Sequence, residues 1–218
     1  MDAKNLIAVL PLFIVGAAAI ISLISFKNDY PVALKKLSVF WVFNFCVDLT
    51  GHITKNLGIK NHWLYNIYFW VMYLVLAHLY DLQIRNKFVH KSIRVFYFLF
   101  PLLILVESQV SGIKDLQTIV LVAGSVFMIF LAAFYFRQLY LSEETEVITR
   151  DPWFWFSFGF IIYFGCTVPF LGMFNYLWSH YKVFTSFYYT WFCNSFAILL
   201  NVFIITGFLC RRTFQKSP

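Results

Sequence analysis

Asn44, Asp48 and His52 stand at four-residue intervals within the stretch Phe40 to Thr54. On a helix that spacing lays all three side chains along one face, one turn apart. A carboxylate and an imidazole so placed can share a proton, hold a polar ligand, or hydrogen-bond to neighbouring helices. The flanking residues are apolar, and a carboxylate in hydrocarbon is costly unless it is paired or wetted. Asp48 is therefore expected to face the interior of a bundle. Its expected polar partner is His52 one turn above it, or Asn194 and Thr190 on the last helix. Asn66, Glu107, Asn175, Thr190 and Asn194 are further polar residues at or near the ends of other apolar segments. Together with Asn44, Asp48 and His52 they form the candidate ligand-binding set. An open pocket and a network of interhelical hydrogen bonds both fit them.

The elements that must carry these residues follow from composition. Of 218 residues, 61% are hydrophobic and 12% charged, far from the average of soluble domains. The expected fold is all-α: a polytopic bundle of seven transmembrane helices forming one transmembrane domain, residues 1–218. The apolar segments read as helices over about 6–26, 37–53, 63–82, 93–107, 116–140, 152–178 and 184–210, each near the roughly 20 residues that a bilayer requires. The first is too long for the apolar core of a secretory signal, and it continues past Ala17, Ala18 and Ala19, so it reads as a helix. Pro101 lies inside the fourth segment, and Gly165, Pro169 and Gly172 weaken the sixth, which is the one expected to bend.

The net charge of +7 resides in short connections, where basic residues set topology and meet anionic headgroups. Membrane lipids are thus expected partners, and nucleic acid is not. The first, third and fifth connections with the helix ends that adjoin them, where Arg94 and Arg137 lie, and the C-terminal tail hold twelve of the seventeen Lys and Arg, against five elsewhere. That asymmetry places the N-terminus outside and the C-terminus in the cytoplasm, and with it His52, Asn66, Glu107, Asn175, Thr190 and Asn194 in the outer half.

Several chemistries lack their residues. Phe184 to Cys210 contains no lysine for a retinal Schiff base and no histidine for the HxxxH pair of zinc-dependent membrane hydrolases. Pro-Gln dipeptides, a nucleophile elbow, a phosphate-binding P-loop and a haem CxxCH are absent. Cys46, Cys166, Cys193 and Cys210 form neither CxxC nor Cys/His spacing and read as packing residues. No catalytic residue, metal site or cofactor is assigned.

The run Asn61, His62, Trp63, Leu64, Tyr65, Asn66, Ile67 and Tyr68, together with Pro152 to Tyr163 and then Asn175 and Tyr176, resembles a family of uncharacterised bacterial seven-helix inner-membrane proteins, many encoded near sensor histidine kinases. The resemblance implies an inner (plasma) membrane location and a role in signalling, and supplies no catalytic residue. The expected function is a sensor or signalling accessory that binds a small or amphiphilic ligand and acts on a cytoplasmic or membrane signalling partner. The alternatives are a small-molecule or proton-coupled transporter with Asp48 and His52 as the protonatable pair and, third, a membrane enzyme. A phosphatase fused to the C-terminus is expected to be inactive, and a fluorescent protein fused there to fold; an active phosphatase would reverse the orientation.

Overall fold

The computed structural model of the chain describes residues 3–24, 31–110, 112–113, 115–141 and 148–214, with side chains between 9 and 210. These residues form helices α1 (Ala3–Ile24), α2 (Val32–Asn56), α3 (His62–Asp81), α4 (Lys87–Val110), α5 (Thr118–Leu141), α6 (Pro152–Gly172), α7 (Phe174–His180), α8 (Lys182–Tyr188) and α9 (Asn194–Phe214). A 3-10 turn, Ile148–Arg150, precedes α6, and a π turn, Tyr189–Cys193, joins α8 to α9. Among the described residues four helices are long and apolar enough to cross a membrane: α4, α5, α6 and the continuous run Lys182–Cys210. Their surfaces suit that environment, since Phe98 and Val106, like Phe13 and Ile20 of α1, are 60% or more exposed.

The helix bounds differ from expectation where local chemistry intervenes. Pro31 sits at φ −54° and ψ 146°, extended geometry that starts a helix at once, so α2 begins at Val32 and takes Lys35 and Lys36 into its first turns. Likewise α4 begins at Lys87, while α5 begins only at Thr118. Asp151 caps α6 by accepting from the Trp153 N–H at 3.1 Å, with Pro152 at the first helical position. The expected segment 152–178 runs past Pro169 but divides at Met173 into α6 and α7. Ser25 and Phe26, at the expected end of the first segment, and Glu143, Glu144 and Glu146 lie outside the described residues. Gly58 and Gly112, both at φ above +70°, turn the chain after α2 and after α4.

Packing closes a ring in the order α1, α2, α3, α5, α6, α9 and back to α1, with α4 lying outside against α3 and α5. The end of the ring carrying Lys36, Arg85, Lys87 and Arg150 is tied by polar contacts. Lys36 Nζ meets His78 Nε2 at 2.7 Å, His90 Nδ1 meets Asp81 Oδ1 at 2.5 Å, and the Tyr135 hydroxyl donates to Asp151. Just inside this basic end an aromatic layer fills the ring: Trp41, Tyr80, Trp153, Phe156, Phe160 and Phe208, all buried. Two hydrogen bonds pin it, from Trp41 Nε1 to Asn201 Oδ1 at 2.9 Å and between the hydroxyls of Tyr80 and Ser157 at 2.9 Å.

Close approach between helices depends on aromatic rings seated over glycines. The Tyr73 ring of α3 lies over Gly124 of α5, and its hydroxyl bonds to the Leu121 carbonyl at 3.0 Å and to Ser125 at 2.6 Å. Phe156 of α6 lies over Gly207 of α9 in the same manner. A Cβ at Gly124 would collide with the Tyr73 ring, whereas one at Gly165 would meet open space. Gly124→Ala should therefore destabilise the protein by about 1–3 kcal/mol. Gly165→Ala should be neutral or stabilise by up to about 1 kcal/mol through helix propensity. Apparent melting temperatures of the two variants in one detergent check the contrast.

Candidate functional site

The polar stripe lies on α2. Asn44 is buried, while Asp48 and His52 one and two turns on are partly accessible. Asp48 lies within electrostatic reach of four phenols: Tyr65 and Tyr68 of α3, Tyr163 of α6 and Tyr189 of the π turn. Asp48, Tyr68 and Tyr163 are half-buried, and Tyr189 is 43% exposed. Together they form a cluster of one carboxylate and four phenols. Hydrogen bonds of Thr190 go elsewhere, and Asp48 forms no ion pair among the described residues. The groups coupled electrostatically to Asp48 are these tyrosines, whereas the partners expected from the sequence were His52 or Thr190 and Asn194.

Local structure explains the arrangement. Gly51 lies one turn beyond Asp48 on α2, and the Tyr65 hydroxyl occupies the notch that a Cβ there would fill, bringing this phenol toward Asp48. Tyr68 stacks on Phe40 with ring centres 6.3 Å apart, and Tyr163 meets Phe164 edge-on at 5.2 Å. Tyr189 leans against Phe174, 6.2 Å away. At the π turn the Asn194 N–H donates to the Tyr189 carbonyl five residues back. One extra residue in the turn alters the register between α8 and α9, a distortion that recurs at functional sites.

Most of the other candidate residues do structural work at the same end. Asn66 is fully committed: its amide donates to the carbonyls of Ile113 at 3.1 Å and Asp115 at 2.8 Å, and its oxygen accepts from the Gln117 N–H at 3.1 Å. Gln117 accepts from Trp70 Nε1 at 2.8 Å and donates to Ser108 at 2.7 Å. Glu107 is buried at the start of α5, where its two oxygens accept from the N–H groups of Ile119 at 3.0 Å and Val120 at 2.6 Å. A carboxylate there also meets the positive end of the helix dipole. Asn175 reaches from α7 to the Leu116 carbonyl at 2.8 Å. Thr190 bonds to the Ser186 carbonyl of its own helix at 2.8 Å. Asn66, Glu107 and Asn175 therefore clasp the α4–α5 connection and share no hydrogen bond with Asp48 among the described residues.

Sequence reasoning on charge passed over the tyrosines. Two signals were present: Tyr65 and Tyr68 are three apart and so share a face, and Tyr163 sits mid-helix, away from the membrane interface where tyrosines concentrate. Among the described residues no three of His, Cys, Asp and Glu gather as metal ligands. Comparison of the chain with protein-family models, curated proteins and solved structures found no match. The clasp and the Asp48 cluster should respond differently to substitution. Asn66→Ala and Glu107→Ala each strand backbone groups and should cost about 2–3 kcal/mol. Asp48→Asn should change stability by about 1 kcal/mol or less. Thermal unfolding in detergent, followed by the loss of monodisperse protein, measures both.

Proposed function

We propose that the chain is a seven-span protein of the bacterial inner membrane, N-terminus outside and C-terminus in the cytoplasm, which senses a small or amphiphilic ligand at Asp48. Four long apolar helices support membrane insertion, and α1, α2 and α3 complete the same ring. The gathering of Lys36, Arg85, Lys87, Lys91 and Arg150 at one end supports placing that end in the cytoplasm. The Asp48 cluster then lies toward the outer side. Resemblance to proteins encoded near sensor histidine kinases supports a signalling partner, in the membrane or the cytoplasm, that reads the basic end.

The observation that carries a binding role over a carrier role is the aromatic layer beneath the Asp48 cluster. Trp41, Tyr80, Phe156 and Phe160 are at most 2% exposed and interlock with ring centres 5.6–6.4 Å from Trp153, Phe160 or one another. A polar path from Asp48 to the basic end would have to break this layer and its two hydrogen bonds. Protein in liposomes containing a trapped pH-sensitive dye should therefore pass protons no faster than empty liposomes when an acid gradient is imposed. A flux that Asp48→Asn abolishes would instead establish a proton-coupled carrier.

A further inference from the structure

A groove of about 920 Å³ is walled by α2, by α3 and, through Tyr97, by α4. Lys35, Lys36 and His78 stand at its basic end, and from there to Phe43 on α2 and Val71 on α3 every lining residue except Tyr97 is apolar. That apolar stretch runs about 10 Å along the helices. Val39, Phe43 and Val71 are exposed, so the groove opens on the outer surface of α2 and α3. Lys36 Nζ lies 2.7 Å from His78 Nε2. An ammonium donates to an unprotonated Nε2, so the pair carries one positive charge, and among the described residues neither partner meets a carboxylate. The Asp81 carboxylate, one turn beyond His78, is engaged by His90 at 2.5 Å. The Tyr97 hydroxyl is buried and has no hydrogen-bond partner, the one such side-chain atom among the described residues. A buried hydroxyl left in that state is uncommon. Side chains on a helix lean toward its N-terminus, and α4 starts at Lys87, so Tyr97 leans toward the basic end of the groove.

We infer that this groove holds an anionic phospholipid, with its phosphate at Lys36 and His78, an ester or phosphate oxygen accepting from the Tyr97 hydroxyl, and the first part of an acyl chain along Val39 and Phe43. Positive charge without a counter-ion, a donor without an acceptor and an apolar channel follow one another along the groove. A phospholipid presents phosphate, ester and hydrocarbon in that same order, and basic pockets between membrane helices select anionic headgroups. A lysine at a helix end ordinarily snorkels among whatever headgroups are near. Lys36 differs because His78 holds its charge over the groove. A zwitterionic lipid would bring its own cation to the basic end, and a free phosphate would leave the apolar wall unfilled. The site shares no lining residue with the Asp48 cluster, so it stands whether or not that cluster binds a ligand.

The test uses the full-length protein in detergent with added phosphatidylglycerol, phosphatidylcholine of the same acyl chains, or inorganic phosphate, followed by native mass spectrometry and thermal unfolding. Retention of phosphatidylglycerol with saturable stabilisation is expected, at about tenfold or more the apparent affinity of phosphatidylcholine, with no response to inorganic phosphate. Lys36→Gln should weaken phosphatidylglycerol binding by about fivefold or more. Lys91→Gln removes an exposed charge of the same end outside the groove and should bind within about twofold of the parent. Tyr97→Phe should weaken binding by about threefold. Val39→Trp, at an exposed position on the wall, should fill the groove and abolish retention, and it carries the test if Lys36→Gln does not fold. Equal losses from Lys36→Gln and Lys91→Gln would mean attraction to the basic end as a whole and would overturn the site. Equal binding of phosphatidylcholine, an equal response to inorganic phosphate, or retention that survives Val39→Trp would overturn it too. Asp48→Asn should bind phosphatidylglycerol as the parent does, which keeps a failure here distinct from a failure of the Asp48 reading.

Discussion

Helices in a membrane gain little from burying apolar surface against each other, because lipid tails are as apolar as leucine, so contact must come from shape. In this protein the shape is an aromatic ring laid over a glycine. Tyr73 over Gly124 sets the distance between α3 and α5, Phe156 over Gly207 that between α6 and α9, and Tyr65 over Gly51 that between α2 and α3. With 22% of its residues aromatic, the chain would otherwise hold its helices too far apart to close a ring. The third of these contacts also shapes the site, since the notch at Gly51 draws the Tyr65 hydroxyl toward Asp48.

The closed ring lets two polar zones at the same end do different things. At the α4–α5 connection every hydrogen-bonding atom described for Asn66 and Glu107 has a backbone partner, and the zone acts as a clasp. At Asp48 the neighbours are phenols that retain accessible surface. The buried aromatic layer lies between that cluster and the basic end.

The helical class and the apolar segments could be read from composition and periodicity, because both are local properties of the chain. The polar stripe of α2 was legible as well, since Asn44, Asp48 and His52 recur at helical spacing. What surrounds Asp48 was not, because Tyr65, Tyr163 and Tyr189 reach it from three segments that only the closed ring brings together. The clasp was hidden for a related reason: Asn66 bonds to carbonyls some fifty residues away, and a side chain's partner on a distant backbone leaves no pattern in spacing. The π turn at Tyr189–Cys193 lies inside a run whose composition reads as ordinary helix, and it is set by packing.

Access to the Asp48 cluster is the point on which the account turns. In a variant whose four native cysteines are replaced, single cysteines at position 189 and at position 160 can be challenged in intact cells with a thiol reagent that does not cross the membrane. Tyr189→Cys should react rapidly from outside, and Phe160→Cys, in the aromatic layer, should resist until the protein is denatured. Equal reactivity at both positions would mean an open path through the ring, and an inert cysteine at 189 would mean that the Asp48 cluster is closed to the side from which its ligand is argued to come.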